Sequence, residues 1–387
     1  MIVAGPCSAY PCRVERFDAL VVGAGPAGSA TAIRLARGGA KVLLTDRARF
    51  PRDKPCGGGL TGRALRRAPC DVSPVVEHVV DRMVLRLGYG RKFARATDFP
   101  LILMTQRRRL DAHLAEQAAR NGADFRDASR VESIELGDEG AAATVGGAKV
   151  AASYVVGADG ANGVVGKAAG LGAGIVCGVA LEGNAAWGDI ERDPYARTAW
   201  VELGVVPGGY GWVFPKGDHA NVGVGGWLAQ GPKLRGHLDR LARSHRVSPA
   251  GLRDVRGHRL PMRRPGASAS MGRVLLVGDA AGLVDPLSGD GIYEAFVSAE
   301  LAAQAILTGR LDDYAPSLSA ALDRHASASW SAKRAADRVP WACFWAARSP
   351  GVFDAVAGLL RGELAHPSDA RGIARPPLRA LARLARL

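Results

Sequence analysis

Hydrophobic and polar positions follow two different periods along the chain. Residues 17–22 form a short apolar run, residues 28–38 have apolar positions at helical spacing, and residues 41–45 form a second apolar run. This order predicts strand, helix and strand, a βαβ unit with parallel strands. Further elements of these two kinds are predicted downstream: a helix over 107–121, strands over 149–158 and 273–277, and a helix over 289–307.

Two other regions have a different pattern. Residues 79–105 and 175–265 contain short alternating stretches, many aromatic residues and turn signals, which are typical of an antiparallel sheet. Both regions interrupt the βαβ-type elements. The chain is therefore predicted to form one α/β domain built from separated segments, an inserted β-sheet domain, and a mostly helical region after residue 310.

Composition excludes several classes of protein. The chain has 387 residues, of which 48% are hydrophobic, so it is neither disordered nor too small to bury a core. It has no apolar run of 18 residues and no signal-peptide pattern, so we expect a cytoplasmic protein without a transmembrane helix. Its six cysteines include no CxxC pair, so we expect no metal site.

The charge balance is unusual. Lys plus Arg number 51 and Asp plus Glu number 37, which gives a net charge of +14. Such an excess favours an anionic partner, such as a phosphate-bearing cofactor, an acidic lipid surface or nucleic acid. The basic residues are dispersed and form no recognition module, so we do not expect nucleic-acid binding.

A glycine motif follows the first predicted strand. It reads GAGPAG, a GxGxxG motif whose glycines are Gly23, Gly25 and Gly28, with Ala27 between the last two. The first glycine makes a sharp turn, the second lets the backbone approach a pyrophosphate, and the third lets helix and strand pack closely. Asp46 ends the second strand, where an acid can accept hydrogen bonds from a ribose. Together these residues predict a dinucleotide site.

Two Gly-Asp motifs follow predicted strands further along the chain. The first reads GADG and contains Asp159, and the second reads GDAAG and contains Asp279. A nicotinamide domain has no use for the second motif, whereas an extended FAD does, because Asp279 could accept a hydrogen bond from a ribityl hydroxyl. The segment with Gly289, Gly291 and Ile292 begins a helix, and its N-terminal dipole would stabilise negative charge on the pyrimidine edge of reduced flavin. The predicted cofactor is therefore FAD.

Three further stretches carry a family resemblance. They are PRDKPCGGGL from Pro51, YGWVFPK from Tyr210 and NVGVG from Asn221. With these stretches, the chain resembles the FAD-dependent oxidoreductases of the p-hydroxybenzoate hydroxylase-like superfamily and, within it, the geranylgeranyl reductase family. The resemblance implies an α/β fold in which a Rossmann-like FAD-binding domain is interrupted by an antiparallel β-sheet substrate domain and followed by a C-terminal helical region.

The predicted division of the chain follows from this parse. We expect an N-terminal extension over 1–16, an FAD-binding domain over 17–78, 106–174 and 266–310, a substrate domain over 79–105 and 175–265, and a C-terminal helical region over 311–387.

The resemblance also implies roles for individual residues. Arg107 would contact the pyrophosphate region of FAD, although the adjacent Arg108 and Arg109 leave open which guanidinium points inward. Val131 would lie near the adenine, or it could be a core strand residue. The motif after Asp159 departs from the family, which usually has a serine and an arginine there. That difference weakens any role for the motif in contacting a pyridine nucleotide.

The loop at Cys56 is predicted to lie close to the isoalloxazine, with Gly57 and Gly59 allowing the backbone to pass a flat ring. Cys56 is our candidate proton donor, since a thiol pKa responds to nearby dipoles. The alternative is a small residue that packs against the flavin. Lys54 could meet a phosphate or remain a surface lysine.

Tyr210, Trp212 and Phe214 alternate along one predicted strand and so face the same side of the sheet. They would form an aromatic wall for a long apolar substrate, or else the core of the substrate domain.

The leading prediction is an FAD-dependent oxidoreductase that reduces C=C bonds of a geranylgeranyl-type prenyl chain in a lipid, quinone or pigment precursor. The alternatives are an aromatic hydroxylase, a flavin-dependent halogenase and, from another class, a non-catalytic membrane-binding flavoprotein. No second GxGxxG domain is predicted. The electron donor is therefore left open between a reduced nicotinamide and a ferredoxin-like protein.

The C-terminal region suggests where the protein works. Residues 378–387 have a leucine stripe and an arginine stripe, and Trp341 and Trp345 precede them. They could form a basic amphipathic surface on anionic lipid, which would make the protein peripheral on the inner face of a membrane. The alternative is a terminal helix docked on the domain.

Overall fold

The computed structural model describes residues 14–364, 366 and 369. Residues 14–364 form eighteen strands and nine α-helices. The strands are β1 (Glu15–Val22), β2 (Val42–Thr45), β3 (Gly59–Thr61), β4 (His78–Val80), β5 (Arg82–Leu87), β6 (Lys92–Ala96), β7 (Ile102–Met104), β8 (Asp124–Arg126), β9 (Val131–Gly137), β10 (Gly140–Val145), β11 (Ala148–Gly157), β12 (Val176–Ala186), β13 (Thr198–Leu203), β14 (Tyr210–Pro215), β15 (His219–Trp227), β16 (Arg253–Met262), β17 (Ser270–Met271) and β18 (Val274–Leu276). The helices are α1 (Pro26–Arg37), α2 (Gly62–Leu65), α3 (Arg107–Arg120), α4 (Val165–Ala168), α5 (Leu234–Ser244), α6 (Ile292–Thr308), α7 (Tyr314–Arg338), α8 (Pro340–Arg348) and α9 (Pro350–Arg361).

The predicted βαβ unit lies at the centre of an eight-stranded sheet. Its main path is β17-β18-β11-β1-β2-β8, and the strands from β18 to β8 pair in parallel. The hairpin of β9 and β10 is attached to β11. Leu20 and Val21 of β1 are fully buried, as expected for a parallel strand covered on both faces. The predicted α/β fold class is confirmed.

The second sheet has seven strands in the order β16-β12-β15-β14-β13-β5-β6. Its pairs are antiparallel except β13 and β5, which run parallel. The prediction of an antiparallel sheet is therefore wrong for this one pair. Strand β5 comes from a chain segment far upstream, so no short hairpin dictates its direction. Strand β7, also within 79–105, and strand β4, which begins one residue before that range, join β3 in a separate three-stranded sheet.

Helices α7, α8 and α9 form the C-terminal region that the structure describes. Trp330 of α7 donates a hydrogen bond to the carbonyl of Arg263, at 2.7 Å, and so ties this helix to the chain after β16. None of the described helices is long and apolar enough to cross a bilayer. The predicted amphipathic stretch 378–387 lies outside the described residues.

A close backbone contact fixes the first glycine turn. Gly23 has a φ of +103°, and a Cβ built on it would lie 2.4 Å from the carbonyl oxygen of Ala158. We therefore expect Gly23→Ala to lower the free energy of unfolding by about 2 kcal/mol or more. Gly236→Ala in α5 is the control, because nothing lies within 4 Å of its added Cβ, and it should leave stability unchanged or slightly higher. Chemical denaturation of both variants measures this difference, and equal stabilities would contradict it.

Candidate functional site

The glycine turn and the start of α1 form an anion-binding end. Gly25 is the N-cap of α1, and among the described residues no side chain caps this helix and no acid lies in its first turn. The N–H of Ala24 donates a hydrogen bond to Asp46 Oδ2 at 2.9 Å. Pro26 has no N–H, and the first intrahelical bond runs from Ser29 to Gly25, so the N–H groups of Ala27 and Gly28 have no intrahelical partner, as at helix starts that bind phosphate.

Two arginines lie beside this turn. A Cβ built on Gly25 would lie 3.4 Å from Arg52 Nη2 and 3.7 Å from Arg107 Nη2. Both guanidinium groups are held by the fully buried Asp111: Arg107 binds it through Nε at 2.7 Å and Nη2 at 2.8 Å, and Arg52 through Nη1 at 2.7 Å. Burial disfavours the charge of Arg107, but Asp111 outweighs this and raises the pKa of Arg107 above its ordinary value.

The inward-pointing arginine of the triplet is Arg107. Arg108 is exposed, and Arg109 is exposed and pairs with Glu77 at 3.0 Å. Arg52 was missed by the sequence analysis, although it lies inside the PRDKPCGGGL stretch. Arg52 and Arg107 thus place two cations at the amino end of α1, where its dipole also favours an anion.

Val131 begins β9, close in sequence to the segment that meets Asp46. The N–H of Ser129 donates to the carbonyl of Asp46 at 2.8 Å. Val131 itself is buried in the hydrophobic core of the first sheet, so its side chain has a packing role whatever it contacts in addition. Its contact with adenine stays a prediction.

Asp159 lies against the first glycine turn, but its carboxylate binds backbone N–H groups at the start of α4. Its Cα would be 3.0 Å from a Cβ on Gly23. Its Oδ2 accepts the N–H groups of Val164 at 2.5 Å and Val165 at 3.0 Å and so caps α4. Burial raises the pKa of Asp159. A cofactor contact of this residue also stays a prediction.

The second Gly-Asp motif packs directly on α1. Gly278 has a φ of +56°, and a Cβ there would lie 2.8 Å from the Cβ of Ala27. Asp279 Oδ2 binds Lys54 Nζ at 2.7 Å and His258 Nε2 at 3.4 Å. Burial by itself would raise the pKa of Asp279, but Lys54 and His258 hold it well below its ordinary range. Lys54 is therefore part of the site, and His258 is a residue that sequence reasoning missed.

The segment before α6 lies next to Asp279 and Tyr210. Gly291 is the N-cap of α6, and a Cβ on it would lie 3.3 Å from Asp279 Oδ1. The N–H of Ile292 donates to Asp290 Oδ1 at 2.9 Å. Gly289 has a φ of +69°, and its added Cβ would lie 4.0 Å from the Tyr210 hydroxyl. The start of α6 is thus brought to both Asp279 and the substrate sheet.

The three aromatic side chains of β14 form a continuous row. The ring centroids of Tyr210 and Trp212 are 5.9 Å apart, and those of Trp212 and Phe214 are 6.3 Å apart. A Cβ on Gly57 would lie 3.1 Å from Phe214 Cδ2 and 3.8 Å from Trp212 Nε1. The Cys56 thiol accepts the N–H of Gly58 at 3.3 Å. The Cys56 loop therefore lies directly against this row of aromatic rings.

Comparisons with known proteins agree with this geometry. Residues 16–193 match a family model described as an FAD binding domain, and residues 185–247 match the geranylgeranyl reductase catalytic domain. A menaquinone reductase of Mycolicibacterium smegmatis is 31% identical, over 82% of this chain and 83% of the relative. A digeranylgeranylglycerophospholipid reductase of Thermoplasma acidophilum is 32% identical, over 79% and 82%.

A solved structure extends the similarity to nearly the whole chain. It is a geranylgeranyl bacteriochlorophyll reductase-like protein of Thermoplasma acidophilum, with a TM-score of 0.77 and 25% identity, covering 95% of this chain and 100% of the other. The chain belongs to the geranylgeranyl reductase family. It is an FAD-dependent oxidoreductase, and the predicted family, cofactor and enzyme class are confirmed.

The described residues of this geranylgeranyl reductase family member fit FAD. The glycine turn leaves a space at Gly25 that a Cβ would partly fill, and the guanidinium groups of Arg52 and Arg107 lie beside it. We call this space the cradle. A diphosphate is an anion of the charge and shape that two guanidinium groups and a helix N-terminus bind. Gly23, Gly25, Asp46 and Asp279 would then hold the cofactor from its ribose to its ribityl chain.

Three polar residues around the Cys56 loop were missed by sequence reasoning. Glu182 Oε1 accepts the N–H of Cys56 at 2.7 Å. Lys216 is buried and donates to the carbonyl of Thr105 at 2.7 Å, and Asn221 Oδ1 accepts the Trp212 indole N–H at 2.8 Å. The sequence did contain an indication of each residue. Glu182 is the one charged residue of β12, and Lys216 and Asn221 lie inside the stretches YGWVFPK and NVGVG.

Burial shifts the pKa values of Glu182 and Lys216 in opposite directions. It raises the pKa of Glu182, although the Cys56 N–H and Lys216 oppose the shift. It lowers the pKa of Lys216, although nearby acidic groups oppose this shift. Both shifts arise because the charged form of each group loses hydration in the interior.

The role of Arg52 in FAD binding can be tested directly. Arg52→Gln removes one charge-assisted contact to the diphosphate while Arg107 still neutralises Asp111. We expect the Kd for FAD to rise about 10- to 100-fold. Arg108→Gln removes the same charge from an exposed position and should leave the Kd unchanged. Fluorescence titration of the apoproteins with FAD measures both, and similar affinities for the two variants would contradict the assignment.

The raised pKa of Glu182 predicts a pH dependence of stability. The folded protein holds this proton more tightly than the unfolded chain, so the contribution to stability is full below pH 4.5, the ordinary value, and is lost as pH rises through the raised pKa. Glu182→Gln cannot titrate. The free energy of unfolding of the variant minus that of the parent should therefore increase with pH in this window, by about 1.4 kcal/mol per unit of pKa shift.

Denaturant titrations of both proteins at several pH values measure this difference. Glu135→Gln, at an exposed position of β9, is the control and should show a flat difference. A flat difference for Glu182→Gln as well would show that Glu182 is not perturbed.

Proposed function

We propose that the protein reduces C=C bonds of a prenyl chain carried by a membrane lipid or quinone. The observation that carries this proposal is the contact of the Cys56–Gly58 loop with Trp212 and Phe214. It supports a long apolar substrate that lies against aromatic rings on the flavin side of the sheet. The relatives named for menaquinone and for digeranylgeranylglycerophospholipid support the same substrate class.

The proposed division of work follows from the residues present. FAD, when bound and reduced, supplies a hydride. The C=C bond must also take one proton, and Cys56 is the group proposed to give it. Trp212 and Phe214 hold the chain, and their packing keeps water from the reacting carbons.

Neighbouring groups support this role for Cys56. Glu182 accepts the backbone N–H of Cys56 and fixes the position of its thiol. Lys216 lies under Gly58, where a Cβ would come within 1.7 Å of Nζ, so the loop passes directly over the ammonium group. The N–H of Gly58 also donates to the Cys56 thiol at 3.3 Å, so the loop itself holds the proposed proton donor in place.

We infer that the electron donor binds transiently. The sequence contains no second βαβ unit with a GxGxxG turn, so a reduced nicotinamide or a ferredoxin-like protein would have to deliver electrons without a dedicated domain of this kind. Anaerobic bleaching of the flavin by NADH, NADPH or reduced ferredoxin distinguishes these donors.

The alternative activities have less support. The loop that begins at Cys56, CysGlyGlyGly, speaks against an aromatic hydroxylase. Flavin-dependent halogenases have a Trp-x-Trp-x-Ile-Pro stretch, and here Tyr210 and Phe214 stand at the positions of the first tryptophan and the isoleucine. A non-catalytic flavoprotein would not require a Cys56 loop whose backbone is held between a buried Glu182 and a buried Lys216.

We also propose that the protein is peripheral to a membrane, since a prenyl lipid or quinone resides in the bilayer.

The proton-donor role is tested with Cys56→Ser. We expect turnover to fall about 100-fold or more, because a serine hydroxyl is a far weaker acid than a thiol. FAD content and reduction by dithionite should be unchanged. Cys177→Ser in β12 is the matched control and should keep full turnover. The assay is the gain of hydrogen pairs in geranylgeranyl lipids, measured by mass spectrometry after anaerobic reduction of the protein.

Two outcomes would contradict the proposal at different levels. Full turnover by Cys56→Ser would remove the proton-donor role but keep the reductase. A reduced flavin that persists with every prenyl substrate, together with hydroxylation of a phenol in oxygen, would overturn the reductase itself.

A further inference from the structure

Helix α8 presents an unusual outer face. Trp341, Trp345 and Arg348 are spaced by four and then three residues, so they share one side of the helix. Trp341 is 59% exposed and Trp345 is 43% exposed, which is rare for residues of this size. Tryptophans exposed together in this way, with no described side chain covering them, point to a partner.

The hairpin of β5 and β6 extends this face. Phe344, on the inner side of α8, is buried and packs edge-on against Phe93 with ring centroids 5.2 Å apart. Arg95 Nη2 donates to the carbonyl of Arg348 at 2.6 Å. These contacts fix the hairpin to α8. We call the exposed side chains Arg91, Trp341, Trp345 and Arg348 the tryptophan face.

Cations surround the exposed rings. The guanidinium carbons of Arg91 and Arg348 lie 5.8 Å and 5.2 Å from the centroid of the Trp345 ring. Arg95, on the same side of the hairpin as Phe93, adds a third cation, and residues 82–96 and 340–348 contain no Asp or Glu. The acids that flank these segments are Asp81, which pairs with Arg197, Asp337, which accepts the N–H groups of Gly208 and of the Trp227 indole, and the exposed Asp98 and Asp354. The face is therefore locally basic.

We propose that the tryptophan face docks the protein onto an anionic lipid bilayer. Tryptophan rings favour the interface between headgroups and acyl chains, where the ring is apolar and the indole N–H stays wet. The arginines beside them are attracted to anionic headgroups. The proposal rests on the proposed function, because it assigns a location to a substrate that lies in the membrane.

The face is continuous with the aromatic row of the site. Phe353 of α9, the helix after α8, belongs to an apolar cluster that Met83 and Ile102 pack against. The same two residues pack against a second cluster, which Phe214 also contacts. Apolar side chains therefore connect the region of α8 and α9 to the substrate wall. A bilayer at the tryptophan face would lie at the outer end of this apolar connection.

The test uses the full chain loaded with FAD and two kinds of vesicle, phosphatidylcholine alone and phosphatidylcholine mixed with phosphatidylglycerol. We expect cosedimentation with the anionic vesicles to exceed that with the neutral ones. Trp341→Ser combined with Trp345→Ser should lower the partition coefficient at least tenfold. Arg91→Gln and Arg348→Gln should each lower it about fivefold on anionic vesicles.

The control removes two exposed apolar residues elsewhere. Leu228 and Met271 are 47% and 48% exposed, and Leu228→Ser with Met271→Ser should bind vesicles like the parent. The proposal is overturned if the tryptophan variant binds as tightly as the parent, which would place docking on another part of the chain. It is also overturned if the parent does not bind anionic vesicles, as expected for a face that docks a protein.

Turnover of a detergent-dispersed prenyl lipid separates this proposal from the proposed function. The tryptophan variant should keep that turnover and lose activity only on substrate embedded in vesicles. If the parent binds anionic vesicles through this face but reduces no prenyl substrate, docking stands and the proposed reaction fails.

Discussion

The segment from Arg52 to Cys56 is held by three polar contacts that face different parts of the molecule. Arg52 binds Asp111 of α3, Lys54 binds Asp279 after β18, and the N–H of Cys56 binds Glu182 of β12. The contacts recur at every second residue. All three carboxylates lie in the interior, where loss of a partner leaves a charge or a donor without compensation. This segment therefore sets how the first sheet, the turn at Asp279 and the substrate sheet meet.

These contacts explain how a short loop can hold Cys56 in a fixed position. Cys56 belongs to neither large sheet, yet its backbone is fixed by strand β12, and the nearby Arg52 and Lys54 are fixed by acids of α3 and of the turn after β18. His258 of β16 adds a second link, since it reaches Asp279 from the substrate sheet. The aromatic row and the cradle at Gly25 are consequently held in a defined relation, as a reaction between a bound ring and a chain requires.

The sequence predicted best those features that depend on residues close together in the chain. The turn at Gly23, the acid Asp46 and the motif at Asp279 follow short-range rules for strands, glycines and helix starts, so their places could be predicted. The parallel pairing of β5 with β13 could not, because it joins segments that are distant in the chain. Glu182 and Arg52 were missed for the same reason. Nothing next to them in sequence indicates which partner each one meets.

The structure shows where several of the cations behind the net charge of +14 lie. At the cofactor site, Arg52 and Arg107 share Asp111, and Lys54 is paired with Asp279, so these cations are largely neutralised within the protein. The cradle therefore offers directed hydrogen-bond donors more than a large surplus of charge. Arg91 of the hairpin of β5 and β6 and Arg348 of α8 are exposed and lie over the Trp345 ring. Because buried pairs cancel at distance and exposed uncompensated cations do not, surfaces of this kind account for the long-range attraction to anions, and the cofactor site contributes little to it.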